Sequence, residues 1–445
     1  MAAQGLGRFI PWQWVLYWLV TPNLLIMAMW PIGGPSMDQQ LLLFGLLAMV
    51  ISQLPWIWPK RFLLLAMMCL IMAFYLCVAF NLPIWAIRHL PEFMGEVKAW
   101  RDPLYLGGGL AFLALVVFVL RRAPAVPRFA SIGPMLVAFA SVFGLSLLDN
   151  AATASTSDSY HAQPGVNDPF HAATDVAGLH NPPADRRHLI VVLVEAMGQP
   201  AADAERGIFD AGWNRPGWRA RYDVEHGSIP YYGSTTSAEL RELCGQWGDF
   251  TQFDFAHADC LPRRYKAAGY ETTAMHSFVG NFFQREQWYP QMFDHAEFAP
   301  DLIGQGVKSC GGMFPGACDS DVPRMLAARL KQADKPQLIY WLTLNSHMPV
   351  VADASLQTAT CPIGTEQWRT EFPQICRVML VQQHLADAID ALAMDPDLPP
   401  TDILIVGDHM PPYFQRASRV RFNGSQVPWI MLRSKAEKAV PAIAG

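Results

Sequence analysis

Two hydrophobic patterns divide the chain near residue 150. Before it, long apolar runs recur at 12–31, 39–58, 61–80, 104–120 and 130–148, a length that suits membrane-spanning helices. After residue 187 the runs are short and end on polar groups. His188-Leu-Ile-Val-Val-Leu-Val-Glu195-Ala-Met-Gly198 is the first of them, followed by Glu271-Thr-Thr-Ala-Met-His276, Leu338-Ile-Tyr-Trp-Leu-Thr-Leu-Asn-Ser-His347 and Ile403-Leu-Ile-Val-Gly-Asp408-His409. A short unbroken apolar run reads as a strand buried on both faces, as in a parallel sheet. Helical patterns lie between these runs at Thr236–Cys244, Leu261–Ala268, Val322–Lys331 and Gln367–Ala393, and Val427–Leu432 reads as a further strand. The pattern predicts a multi-span α-helical membrane domain of about five helices over 1–149, then a linker over 150–187. An α/β domain with a mostly parallel central sheet follows over 188–445.

Basic residues orient the first half. Arg8, Lys60-Arg61, Arg121-Arg122 and Arg128 share one side if the N-terminus is inside, while 81–103 mixes both signs. An odd number of spans then places the second half outside the cytoplasm, and tryptophans and tyrosines cluster near the span ends. The composition, 52% hydrophobic and 16% charged with a net charge of −5, gives no footprint for nucleic acid.

The cysteines point the same way. Cys69 and Cys77 sit inside an apolar run and read as packing, but six others fall in the second half. An oxidising compartment pairs such a set. Local spacing suggests Cys244–Cys260, Cys310–Cys318 and Cys361–Cys376, out of about 15 possible connectivities.

Ligands of open α/β sheets bind beyond the carboxyl ends of the strands, and four runs here end on Glu195, His276, His347 and Asp408-His409. Glu195, Asp408 and His409 mix carboxylate with imidazole, a set suited to a divalent ion, Zn²⁺ or Mn²⁺. Gly233-Ser-Thr235-Thr236-Ser-Ala-Glu239-Leu240 runs from a turn into a helix. A hydroxyl at a helix N-terminus faces free amides that favour an anion, although plain capping explains most such clusters.

Taken in order, these segments resemble the alkaline phosphatase superfamily. The resemblance is to its membrane-bound branch of lipoteichoic acid synthases and of phosphoglycerol and phosphoethanolamine transferases. Leu261-Pro-Arg-Arg-Tyr-Lys-Ala-Ala-Gly-Tyr270 and Asn281-Phe-Phe283-Gln-Arg285 complete the likeness. It implies Glu195, Thr235, Asp408 and His409 as metal ligands and Thr235 as nucleophile, with His276, Arg285 and His347 on the phosphate or leaving group. It further implies a multi-pass protein of the bacterial cytoplasmic (inner) membrane with its catalytic domain in the periplasm or outside. The implied partners are a phospholipid donor and a glycan or lipid acceptor. Phe283 departs from the tryptophan of the lipoteichoic acid synthases, and three disulfides resemble the phosphoethanolamine branch. Two alternatives compete. One is a sulfatase-like hydrolase of sulfate or phosphate esters, suggested by the C-x-P-x-R pattern at Cys260–Arg264 but lacking paired aspartates at Glu195. The other is a degenerate, non-catalytic assembly factor, against which all four implied ligands speak.

Overall fold

The structure is a computed structural model of the chain. It describes residues 10–31, 34–79, 98–160, 164–413 and 415–435, which divide into two compact units.

The first unit is helical. Among the described residues three helices are long and apolar enough to cross a membrane: Ile57–Val78, Tyr105–Ala125 and Ile132–Thr153. Of the two other expected spans, one is the 15-residue apolar helix Asp38–Ser52. The other, beginning at Trp12, changes winding between α, π and 3-10 as far as Ala28. The 3-10 turn falls on Thr21-Pro22-Asn23, where proline has no N–H to donate. Asp38–Ser52 packs closely on Ile132–Tyr160. A Cβ on Gly45 would come to 2.5 Å from Val142 Cγ1, so the pair meets over a missing side chain.

The second unit holds the α/β domain. Its main strands are β1 (His188–Val194), β2 (Tyr222–Pro230), β3 (Glu271–His276), β4 (His295–Glu297), β7 (Gln337–Leu342), β8 (Thr401–Gly407) and β9 (Gln426–Ser434). The short pair β5 (Ser309–Cys310) and β6 (Gly316–Ala317) forms a separate hairpin. The large sheet runs β2-β9-β8-β1-β7-β3-β4. It is parallel from β8 to β4, and β9 and β2 add antiparallel pairs at the other edge.

Alternation along β1 sends side chains into two cores. Leu189, Val191 and Leu193 meet one face with Ala238, Leu240 and Leu243, whereas Ile190, Val192 and Val194 meet the other with Val322, Leu326 and Leu330. Each fully buried Val, Leu or Ile contributes about 1.5–3 kcal/mol, which is why β1, β7 and β8 are apolar from Leu189, Leu338 and Ile403 onward to their ends. The helical stretch expected over Gln367–Ala393 is two helices, Glu366–Glu371 and Pro373–Ala393. Phe372 leaves helical geometry (φ −124°, ψ 59°) because it precedes a proline. The polar segment after residue 150 is helical to Tyr160, and Ala172, Ala173, Ala177 and Leu179 further along are buried.

Three disulfides are present: Cys244–Cys260, Cys310–Cys318 and Cys361–Cys376. Lys98–Asp102, which lie in sequence between two of the long apolar helices, belong to the α/β unit. Lys98 N donates to Met313 O at 2.8 Å, and Arg101 binds Gly312 O and the Asp353 carboxylate.

Candidate active site

The site is built from strand ends. Val194 and Gly407 are register partners, so the next residues, Glu195 and Asp408, leave neighbouring parallel strands side by side. Both turns are tightly held. Asp408 Oδ1 accepts the amides of Ala196 (2.8 Å) and His409 (2.6 Å), and Thr343 Oγ1 accepts the amide of Glu195 at 2.9 Å. Ser346 Oγ donates to Glu195 O at 2.6 Å and Gln382 Nε2 to Ala196 O at 2.9 Å. Ala196 takes φ 54°, a left-handed conformation rare for a residue with a Cβ. A Cβ on Gly407 would lie 2.0 Å from Met197 O, so glycine is what lets the two turns approach.

Thr235 opens the helix Thr235–Cys244 after the Gly233 turn (φ 79°). Its Oγ1 stands 3.2 Å from Glu195 Oε2 and 3.2 Å from His409 Nε2. His409 Nδ1 donates to Met410 O at 2.9 Å, which leaves an acceptor lone pair on Nε2. That nitrogen lies 3.7 Å from Glu195 Oε1 and 3.3 Å from Asp408 Oδ2. Asp408 Oδ2 is buried and receives no hydrogen bond of good geometry. One donor atom each from Glu195, Asp408 and His409 lie within 4.8 Å of one another, and all three residues are buried.

Two buried carboxylates side by side repel. Burial first, and then the Asp408 charge, push the Glu195 carboxyl well above its usual range; the Thr235 hydroxyl and Arg285 oppose this. A divalent cation fits such a donor set, since it neutralises both carboxylates and takes the oriented imidazole nitrogen.

The other expected residues surround this centre at different levels of engagement. His276 ends β3, with Nδ1 3.3 Å from Leu342 O, and its Nε2 is buried without a hydrogen-bond partner among the described residues. Burial, then the Arg285 charge, hold it neutral. His347 donates from Nδ1 to Met348 O at 2.9 Å, lies against Phe314 with ring centroids 4.1 Å apart, and is pushed down to about 4 by burial and His409. Its loop is held from behind by Asp319, whose Oδ2 accepts the amides of Leu344 (2.9 Å) and Asn345 (2.6 Å). Burial still raises the Asp319 carboxyl to about 6.

Arg285 is, with Asp408, the least accessible of the expected set, at 1% exposure. Nε and Nη2 bind Glu239, the closest contact being 2.7 Å. Sequence reasoning assigned no role to Glu239, Arg241, Thr343, Ser346 or Asp319. No sequence signal marks Glu239 or Arg241: each is a charge on a helix, and only the fold buries all ten residues of that helix.

Residues 232–442 match the sulfatase family model. Three solved structures are similar. The integral membrane lipooligosaccharide phosphoethanolamine transferase A (EptA) of Neisseria meningitidis shares 17% identity over 89% of this chain and 81% of that one, with a TM-score of 0.47. The lipoteichoic acid synthase LtaP of Listeria monocytogenes shares 15% over 64% and 72%, with a TM-score of 0.44. The periplasmic domain of Escherichia coli EptC in complex with Zn shares 13% over 56% and 73%, with a TM-score of 0.38. No curated protein matches the chain significantly.

Proposed function

We propose that the protein is a metal-dependent transferase. It moves a phospholipid head group, phosphoglycerol or phosphoethanolamine, through a phospho-threonine intermediate to a glycan or lipid acceptor outside the cytoplasm. One observation carries this reading: the Thr235 hydroxyl opens a helix within 3.2 Å of both Glu195 and His409. A hydroxyl with no dedicated base needs such a setting to become a nucleophile.

Glu195, Thr235, Asp408 and His409 would hold the ion, Zn²⁺ or Mn²⁺. When bound, it supplies charge that lowers a hydroxyl pKa and polarises phosphoryl oxygens. The chain's own groups do the rest. Thr235 Oγ bonds to phosphorus and the bond from phosphorus to the diacylglycerol oxygen breaks, that oxygen leaving as the alcohol with one proton. An acceptor hydroxyl then bonds to phosphorus, the Thr235 ester breaks, and the threonine hydroxyl is restored. The helix N-terminal amides and Arg285 favour the phosphoryl charge. His276 and His347 are neutral at neutral pH, with their Nδ1 atoms turned to carbonyl oxygens. They are therefore suited to accept the acceptor's proton rather than to donate one.

Three helices and one loop support the location. Lys98–Asp102 belong to the α/β unit, so the loop before Tyr105–Ala125 lies on that unit's side of the membrane. Tyr105–Ala125 then leads to Arg121, Arg122 and Arg128 on the far side, and Ile132–Thr153 returns. The basic side is cytoplasmic. A catalytic unit outside the cytoplasm is then compatible with any number of spans before Ile57–Val78. The sulfatase reading loses its nucleophile, because Cys260 is bonded to Cys244.

The test is mass spectrometry of Thr235 after incubation with phosphatidylglycerol and phosphatidylethanolamine. An adduct on Thr235 is expected, its mass naming the head group, and Thr235→Ala should stop diacylglycerol release with the fold intact. Normal turnover by Thr235→Ala would overturn the assignment.

A further inference from the structure

The helix that Thr235 opens carries a buried carboxylate to which the transfer mechanism gives no part. Glu239 lies one turn after Thr235, on the same helix face. It is fully buried, and its oxygens are filled by Arg285 Nε and Nη2, Tyr289 Oη at 2.6 Å and Tyr340 Oη at 3.3 Å. Arg285 also donates from Nη1 to Phe282 O at 3.1 Å. Three of the five guanidinium N–H groups are used in these bonds, which leaves two, with the Tyr289 hydroxyl also close to the guanidinium.

We propose that Glu239 is a positioning residue: it fixes the Arg285 guanidinium so that the two remaining N–H groups are held for the phosphoryl oxygens. The inference rests on the transfer reading above and deepens it. Two features of the chain favour it over a core ion pair of no consequence. The residues just before Arg285, Phe283 and Gln284, are both left-handed, at φ 55° and 56°. Non-glycine residues adopt that geometry rarely, and it persists where surrounding contacts enforce it; the Arg285 anchor is such a contact. The Arg285 charge also reaches His276 at the end of β3, on the strand-end side where the site lies. Glu239 thus ties the nucleophile's helix and the phosphate-facing cation to one carboxylate.

The sign of one measurement separates positioning from charge. Removing a negative group beside a cation tightens anion binding if Glu239 acts only through charge. Loosening the guanidinium weakens it. Full-length protein in detergent is titrated with inorganic phosphate and followed by thermal shift, and phospholipid turnover is measured alongside. Glu239→Gln is expected to weaken phosphate binding about tenfold and to lower kcat by at least as much. In an Arg285→Lys background the same change should add little, because the fork it positions is already gone. Unchanged or tighter phosphate binding by Glu239→Gln overturns the proposal, as do equal losses in both backgrounds. If Glu239→Gln does not fold, Tyr289→Phe replaces it, deleting only the hydroxyl on Glu239 Oε1. A roughly two- to threefold weakening confined to the Arg285 background supports positioning, and an equal change in both backgrounds overturns it. Wild-type protein that binds phosphate through Glu239 yet releases no diacylglycerol would sink the transfer reading and uphold the positioning role.

Discussion

The two units distribute polarity in opposite ways. In the helical unit large apolar side chains face outward: Trp12, Phe62 and Leu110 are 64%, 71% and 61% exposed. In the α/β unit charges face inward. Arg241, on the same helix as Thr235, donates to Gly407 O at 2.8 Å and Asp408 O at 3.3 Å and pairs with Glu242 at 2.6 Å. Glu242 in turn accepts the amides of Ala173 and Thr174. An outward apolar surface is what lipid solvates, and an inward charge is tolerated where hydrogen bonds and opposite charges offset its desolvation. The first unit is shaped by its solvent and the second by its chemistry. One ten-residue helix thereby braces the Asp408 turn, the Arg285 segment and the chain arriving from residue 173.

The comparison is broken most severely at the two carboxylates proposed to hold the metal. Asp408→Asn removes one ligand charge and should lower turnover at least about a thousandfold, since a bound ion contributes several kcal/mol at the transition state. Its effect on stability should run the other way without metal. Glu195 and Asp408 repel in the metal-free site, so the chelated variant should melt no lower than chelated wild type. Thermal shifts with and without chelator, together with metal analysis, check both halves. A full equivalent of metal retained by Asp408→Asn, with normal turnover, would refute the site.

A matched pair of truncations sharpens the contrast. Arg241→Ala leaves Glu242 buried without its cation and frees two carbonyls, which should cost about 3–5 kcal/mol. Leu110→Ala removes far more apolar surface than charge, yet it faces outward from its helix and should stay within about 0.5 kcal/mol. Denaturation of both variants in the same detergent gives the comparison. Similar losses would mean that Leu110 packs against protein in the native state.

How far the sequence disclosed this arrangement depended on which force ordered each part. β1, β7 and β8 were legible because strands buried on both faces must be apolar throughout, which also made their polar ends conspicuous. β2 was not: Asp223, Glu225 and His226 lie on an edge strand that is largely exposed and has no apolar run. Residues 172–179 hid for another reason. Their buried alanines are small, and an Ala-, Pro- and Asp-rich stretch has the composition of a linker. Glu195, Asp408 and His409 could be read as a group from their common place at strand ends. Glu239 and Arg241 could not, because a charge on a helix ordinarily faces water and only tertiary packing turns these inward. The positive φ of Ala196, Phe283 and Gln284 left no trace in composition either, since glycine is absent where the backbone would favour it.

The mildest test concerns a buried group far from the chemistry. His188 opens β1 at 1% exposure, and its Nδ1 accepts the Gln337 amide at 3.0 Å, so the ring is held as the neutral tautomer. Burial lowers its pKa to about 4 from an ordinary 6.5. Between these values the unfolded chain binds a proton that the folded chain refuses, so stability must fall as the pH falls through the window. Above it neither state is protonated and the histidine adds no pH dependence. A shift of this size corresponds to about 3–4 kcal/mol, from roughly 1.36 kcal/mol per unit. His188→Asn keeps an oxygen near the position of Nδ1 to accept the Gln337 amide, but it cannot titrate. At pH 7 the variant should be modestly less stable than wild type because it fills less of the core. As the pH is lowered to 4 the gap should close and then reverse, while titrations common to both proteins cancel in the difference. Denaturant melts at five or six pH values measure it. Parallel curves for the two proteins would show that His188 is protonated in the folded state, contrary to its place in the hydrogen-bond pattern.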